Sequence, residues 1–300
     1  MTYIYFFLTI IFCCMLFYLI HPVAFIIILC CCCVVYYIYF RCKDIKLEFV
    51  KPYCEKGGRN ENQDHIDYSS VEEKYCFVIA DGLGGHRGGK LAATIAVDTV
   101  LEHFKKFKHV GGTKKTIDES VNSFLRDSLL KAHNNILEKS NNNPKFENMK
   151  STCVILVIAN NYAYFTNIGD SRIYFIKNCE VMQKSKDHSV VQVMLDMNEI
   201  SEEEIVGHPD RNRVLKVLGM EEDFTIHTLS RKIEKGEYIL LCTDGFWEYF
   251  TVKDIELFFQ SNSEKSVKDL QDCLYESTIE KANEFSEKFD NITIQLIKAV

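Results

Sequence analysis

The feature that most restricts this chain is an abrupt change in charge at residue 40. Residues 1–40 contain no Asp, Glu, Lys or Arg, so all 42 acidic and 35 basic side chains, and the net charge of −7, belong to residues 41–300. From Tyr3 to Phe40 the sequence is almost continuously apolar, interrupted only at His21-Pro22. About 20 apolar residues cross a bilayer as a helix, whereas this whole stretch as one helix would run roughly 57 Å against a hydrocarbon core of about 30 Å. The expectation is a transmembrane segment broken at His21-Pro22. It forms either a hairpin of two minimal spans, 3–20 and 23–40, or one span preceded by an interfacial or cleaved piece. No positive charge precedes the apolar run, as a secretory signal requires. Arg41, Lys43 and Lys46 follow it directly, and the positive-inside tendency places the rest of the chain in the cytosol. The expected organisation is a membrane segment at 1–40, a juxtamembrane linker and first strand at 41–54, and one soluble domain at 55–300, long enough to bury a substantial core.

A mildly acidic domain without a basic stripe is a poor match for nucleic acid, whose phosphates need clustered Lys and Arg. Seven of the thirteen cysteines (Cys13, Cys14, Cys30, Cys31, Cys32, Cys33 and Cys42) lie in or beside the apolar segment. They are either apolar filler or sites of acylation. The other six form no C-x-x-C pair and read as free thiols of a reducing compartment. Asn291-Ile-Thr293 is a glycosylation sequon that matters only if the domain faces the other way.

Within the domain, several short apolar runs each adjoin an aspartate: Asp81 after 76–80, Asp170 after 162–165, Asp244 after 238–242 and Asp290 before 292–296. Runs of this length and β-branched content predict strands, which would hold the carboxylates at the rim of a sheet. Four carboxylates sharing one pocket repel unless cations sit between them, and hard oxygen donors select Mg²⁺, Mn²⁺ or Ca²⁺. Amphipathic spacing predicts helices over Gly89–Phe107 and from Ile117 to Ile136, then a strand meander over Thr152–Ala159, Tyr162–Ile168 and Arg172–Ile176 with a turn at Asn160-Asn161. Ser201-Glu-Glu-Glu204 predicts a helix start. A strand at Tyr238–Cys242, helices near Lys253–Gln260 and Val267–Glu284, and a last strand at Asn291–Ile297 complete the series. Helices, strands and helices in this order suggest sheets between helix layers.

Two loops carry further chemistry. In Gly58-Arg59-Asn60-Glu61-Asn62-Gln63-Asp64, a guanidinium suited to a phosphate dianion lies five residues from a carboxylate. Asp81-Gly82-Leu83-Gly84-Gly85-His86-Arg87-Gly88-Gly89-Lys90 puts five glycines into eight residues at a strand-to-helix turn. A P-loop reading fails at Leu91, where a Ser or Thr is needed, and a dinucleotide reading fails at Arg87.

Taken in order, R-x-x-x-Q-D at Arg59, D-G-x-G-G at Asp81, G-D-S-R at Gly169, D-H-S at Asp187, R-x-x-x-x-L-G at Arg213, T-D-G-x-W at Thr243 and D-N-I-T at Asp290 resemble the metal-dependent type 2C Ser/Thr protein phosphatases, the PPM family. The likeness covers about residues 55–298 and is closest in style to bacterial-type members. It implies an α+β fold, a four-layer αββα sandwich in which a central antiparallel β-sandwich is flanked by helices. It also implies a two-ion Mn²⁺ or Mg²⁺ centre that hydrolyses phosphoserine and phosphothreonine of protein substrates through a metal-activated bridging water. By similarity, Asp81 bridges the two ions, the Gly82 carbonyl contacts one, and Asp244 and Asp290 hold the other. Asp64 acts through coordinated water, Asp170 and Asp244 hold a weaker third ion in many members, and Arg59 binds the substrate phosphate. Two positions depart from the pattern. Leu83 stands where many eukaryotic members have a His acting as general acid, so that role is unassigned, with His86 and His188 as alternatives more simply read as structural. Lys150 stands where a Gly is usual. A regulatory pseudophosphatase is the competing function, but relatives of that kind lose metal carboxylates, and all are present here.

Overall fold

The computed structural model describes residues 8–15, 26–33, 45–83, 88–107, 113–221 and 225–300. The chain divides into two compact units, Met1–Asp44 and Ile45–Val300. In the first, residues 8–15 and 26–33 are helical. The His21-Pro22 break, the basic pair Arg41 and Lys43, and most of the apolar segment lie outside the described residues. Among the described residues, no helix is long and apolar enough to cross a membrane.

The second unit is an α+β sandwich whose strand pairings in the two large sheets are all antiparallel. Its strands are β1 (Leu47–Phe49), β2 (Tyr53–Glu55), β3 (His65–Val71), β4 (Lys74–Ala80), β5 (Gly82–Leu83), β6 (Lys150–Ser151), β7 (Cys153–Ala159), β8 (Tyr162–Ile168), β9 (Arg172–Lys177), β10 (Glu180–Lys184), β11 (Leu229–Lys232), β12 (Tyr238–Cys242) and β13 (Ile292–Ala299). Its helices are α1 (Gly88–Lys105), α2 (Lys114–Asn141), α3 (Val190–Asp196), α4 (Asp244–Trp247), α5 (Val252–Ser261) and α6 (Val267–Phe285). One sheet runs β1-β13-β12-β9-β10, with β2 also on β13; the other runs β11-β8-β7-β4-β3. Because β1 and β2 both pair with β13, the chain from Leu47 onward belongs to a sheet.

Burial on both faces explains the continuous apolar runs of the central strands. In β4, Phe77 and Ile79 point between the sheets and meet Ile173, Phe175, Ile239 and Leu241 of the opposite sheet. Cys76, Val78 and Ala80 point the other way, onto a layer made by α1 and α2. Leu240, Ile294 and Leu296 likewise face the layer made by α5 and α6. Order across the domain is therefore helices, sheet, sheet, helices. Asn160 and Asn161 close the β7–β8 hairpin with φ of 51° and 63°, the pair of left-handed residues that a type I′ turn requires.

The helix expected from Ser201 is only a 3-10 turn, Glu203–Ile205. Its capping contact forms, with Ser201 N donating to Glu204 Oε2 at 2.7 Å. Two residues beyond the turn, Gly207 adopts φ +82°, and Pro209 follows, so the helix cannot continue.

Candidate active site

Antiparallel registry brings the strand-end aspartates to one edge. Cys242 lies opposite both Arg172 and Ile294, so the residues just beyond β12 and just before β9 and β13, namely Asp244, Asp170 and Asp290, share the same end. In the other sheet, His65 lies opposite Ala80, which places Asp64 beside Asp81. Every aspartate proposed from the sequence is thus at this pole, and the electrostatics link them. Burial pushes Asp81 well above the ordinary carboxylate range, and the charges of Asp64, Asp170 and Asp290 push the same way. Asp244 is likewise driven well up by burial and then by Asp81, Asp290 and Asp170. Burial also lifts Asp170 to about 7, with Asp187 adding to the shift and Arg172 opposing it. Asp64 rises to about 6 through burial, held down by hydroxyl donors from Thr293 and Thr243.

Each carboxylate is placed by groups around it. The main chain of Asp81 is clamped: its N–H donates to Thr152 Oγ1 at 2.9 Å, and its carbonyl accepts from Thr152 N at 2.8 Å and from Ser151 Oγ at 2.9 Å. Lys150, the departure beside this clamp, pairs with Leu83 in the short β5–β6 ladder. Asp64 Oδ2 accepts from Thr243 Oγ1 at 2.8 Å and Thr293 Oγ1 at 2.7 Å, so Asp64 is fixed by residues flanking Asp244 and Asp290. Asp244 opens α4, where Gly245 passes so close that a Cβ would lie 2.0 Å from the Asn291 carbonyl oxygen. Gly82 passes equally close to Gly89: a Cβ on Gly82 would lie 2.1 Å from the Gly89 carbonyl oxygen. The rest of the glycine loop, Gly84 to Arg87 with His86, lies outside the described residues.

Asp170 is held from behind. Trp247 Nε1 donates to its carbonyl at 2.8 Å. The Trp247 ring stacks on the Arg172 guanidinium, 3.8 Å from Cζ to the centroid. Arg172 in turn makes hydrogen bonds of 2.7–3.1 Å to both oxygens of Asp187 and one of 3.0 Å to Tyr174 Oη. The G-D-S-R, D-H-S and T-D-G-x-W motifs therefore meet in one buried cluster. His188 accepts from Gly169 N at 3.3 Å through Nδ1, which ties the D-H-S segment to the loop before Asp170.

Arg59 also reaches the pole. Its Nη2 lies 2.6 Å from Asp290 Oδ2, and its side chain remains 53 % exposed. Asn291 fixes the loop that carries it, donating to the carbonyls of Lys56 (2.8 Å) and Glu61 (3.0 Å) and accepting from Gln63 N (2.8 Å). The sequon asparagine is thus 4 % exposed and fully used inside the fold. Thr152, Thr243, Thr293 and Asn291 are site residues that sequence reasoning missed as such. Only their positions beside the aspartates hinted at them.

The donor set suits hard divalent cations: carboxylates and carbonyls with no soft ligand between them, and Arg59 as the cation paired with them. Among the described residues, no three His, Cys, Asp or Glu side chains already close on one point as a bound ion requires.

The Protein phosphatase 2C family matches residues 56–282. The Ser/Thr phosphatase stp of Listeria monocytogenes is 28 % identical over 241 residues, covering 80 % of this chain and 91 % of that protein. Among solved structures, the Ser/Thr phosphatase Stp1 of Staphylococcus aureus superposes with a TM-score of 0.72 at 23 % identity, covering 86 % of this chain and 96 % of that one. The catalytic domain of the phosphatase PstP, solved with two manganese ions, gives 0.67 at 22 % identity, over 86 % and 100 %. With the family match spanning most of the sandwich and including Asp64, Asp81, Asp170 and Asp244, the chain belongs to the protein phosphatase 2C family, the Mn²⁺- or Mg²⁺-dependent protein Ser/Thr phosphatases.

Proposed function

We propose that Asp81, Asp244 and Asp290, with the Gly82 carbonyl and with Asp64 acting through water, hold two divalent ions, that Asp170 contributes to a weaker third site, and that Arg59 binds the substrate phosphate. The observation that carries this reading is the crowding of five aspartates at one pole, four of them driven above their ordinary pKa. A bound divalent pair lowers the pKa of water and offsets charge on an in-line phosphoryl transfer. The chain's own part is positional. Thr152 and Ser151 hold Asp81, Thr243 and Thr293 hold Asp64, and Asn291 holds the Arg59 loop. Arg59 exchanges its Asp290 contact for two phosphate oxygens, to which its planar fork is matched. The manganese pair of the PstP catalytic domain supports the two-ion count. With Mn²⁺, full-length protein is expected to dephosphorylate a phosphothreonine peptide, and excess EDTA should abolish turnover. Turnover unchanged by EDTA would rule out the metal reading, and none under either condition would favour the regulatory one.

The charge-free residues 1–40 support a second element of the proposal, that the enzyme is membrane-anchored with its phosphatase domain in the cytosol. Full-length protein should stay with membranes through carbonate washing, and protease added to sealed inside-in vesicles should leave the domain intact. Release by carbonate, or digestion of the domain, would overturn it.

A further inference from the structure

Phe285, the last residue of α6, is 75 % exposed, more than any other large apolar side chain among the described residues. Nothing in the helix end needs it there, since Ser286 N already caps the turn by donating to Ala282 O at 3.0 Å. Exposed apolar surface is unfavourable by about 25 cal/mol per Å², so an exposed aromatic that borders a binding site is available to contact what binds there. Its place is next to the reaction site. The Phe285 ring lies 5.9 Å from Tyr249 at 39°. Tyr249 lies just beyond the short helix that Asp244 opens, its N donating to Phe246 O at 3.2 Å, which keeps it at the pole of the aspartates. The segment after Phe285 forms the floor under the phosphate arginine. Gly58 N donates to Phe289 O at 3.1 Å, and a Cβ on Gly58 would lie 2.2 Å from the Glu287 carbonyl oxygen. The Phe289 ring packs under Gly57, whose Cβ would lie 2.9 Å from it. Lys281, one turn before Phe285, is turned inward, its Nζ 3.0 Å from Tyr249 O and 4.2 Å from the Phe250 centroid, so no cation covers the shelf from that turn.

We infer that Phe285 and Tyr249 form an apolar shelf beside Arg59 that receives an apolar side chain close in sequence to the phosphorylated residue of a protein substrate. Continuity with the phosphate site sets the occupant. The 287–289 segment backs the Gly57-Gly58 turn before Arg59, so a peptide whose phosphate reaches Arg59 can lay a neighbouring residue over that segment, which Phe285 borders. The inference rests on the assignment of Arg59 and the aspartates made above, and it adds a preference in the substrate that those charged groups cannot supply.

The test uses full-length protein with Mn²⁺ and a phosphothreonine peptide flanked by alanines, against the same peptide with one Phe walked from four residues before the phosphothreonine to four after. At one position Phe should raise kcat/KM roughly 5- to 10-fold through a lower KM, the size expected for one partly buried apolar side chain. In Phe285→Ser, an exposed substitution that leaves the core untouched, that ratio should fall to about one. Absence of a preferred position in the wild type overturns the inference, as does a ratio kept by Phe285→Ser. So does a change of oligomeric state with the ratio unaltered, which would assign the shelf to a second copy of the chain. Failure of the metal-site reading looks different: no peptide, the all-alanine one included, would show Mn²⁺-dependent turnover.

Discussion

Asp244→Asn is expected to lower turnover by roughly three powers of ten while making the metal-free domain more stable, because the same carboxylate is an asset with ions bound and a liability without them. Three powers of ten are about 4 kcal/mol at about 1.36 kcal/mol per decade of rate, within the several kcal/mol of charge stabilisation that metal ions supply. The opposite effect on stability follows from the pKa shifts. An aspartate whose pKa is raised in the folded state holds a proton that the unfolded chain releases above about pH 4. Its stabilising share is therefore complete below pH 4 and is lost as pH rises through the folded value. For Asp64 and Asp170 that loss starts near pH 4 and is complete by about pH 6 and pH 7, and the pKa of Asp244 is likewise raised well above the ordinary range. Asparagine keeps the volume and carries no charge at any pH, so the EDTA-treated variant should gain about 1–2 kcal/mol at pH 7 and show a flatter decline from pH 4 to pH 8. Thermal denaturation with EDTA and with Mn²⁺ checks both signs: Mn²⁺ should raise the melting temperature of the wild type far more than that of the variant. Equal Mn²⁺ stabilisation of the two would remove Asp244 from the ligand set.

How much of the fold could be read from the sequence depended on where each strand sits. β4, β7, β8, β9, β12 and β13 lie inside the sheets, are covered on both faces and show as apolar runs. β3, β10 and β11 stand at sheet edges. There one face meets solvent, and the segments His65–Val71, Glu180–Lys184 and Leu229–Lys232 carry charged or polar residues that hide the period. Their turns gave no help. β3 and β4 are joined by Glu72-Glu73 at φ of 49° and 63°, and β9 and β10 by Asn178-Cys179 at 51° and 66°. Glu and Cys are unusual at left-handed positions, unlike Asn160-Asn161, which marked its hairpin plainly.

The site divides along a similar line. A single aspartate at a strand end is usually a turn residue, and these became legible only as a set, in order with the Arg59 loop. The neutral groups that aim them carry no such mark. Thr293 sits between Ile292 and Ile294 in β13 and could be read as a β-former until Asp64, 229 residues away in sequence, is seen to accept its hydroxyl hydrogen bond. Asn291 was legible as a sequon and as part of D-N-I-T but not as the clamp of the Arg59 loop, since its partners Lys56, Glu61 and Gln63 lie on a loop brought near by the β2–β13 pairing. Arg172 and Asp187 belonged to recognisable motifs, yet their pairing with each other is a product of the fold.

That pairing sets the largest stability effect expected for a single substitution outside the aspartates. The Arg172 side chain is 3 % exposed and that of Asp187 is 1 % exposed. Arg172→Met keeps most of the volume under Trp247 and leaves Asp187 a buried carboxylate with no cation, a loss of about 3–5 kcal/mol. For a domain of this size that corresponds to a fall in melting temperature of roughly 10 °C. Adding Asp187→Leu removes the stranded charge, so the double variant should recover a large part of the loss, whereas two independent packing defects would add. The cluster also has a functional readout. Trp247, stacked on the guanidinium, donates to the Asp170 carbonyl, so Arg172→Met should weaken the third site proposed at Asp170 more than the ion pair proposed at Asp81, Asp244 and Asp290. Mn²⁺ titrations of the single and double variants separate the two effects. Stability is regained in the double variant because the charge is gone, but the stacking partner of Trp247 is still missing, so the Asp170 site should stay weak. Recovery of both together would show that Arg172 acts on the site only through the stability of the fold.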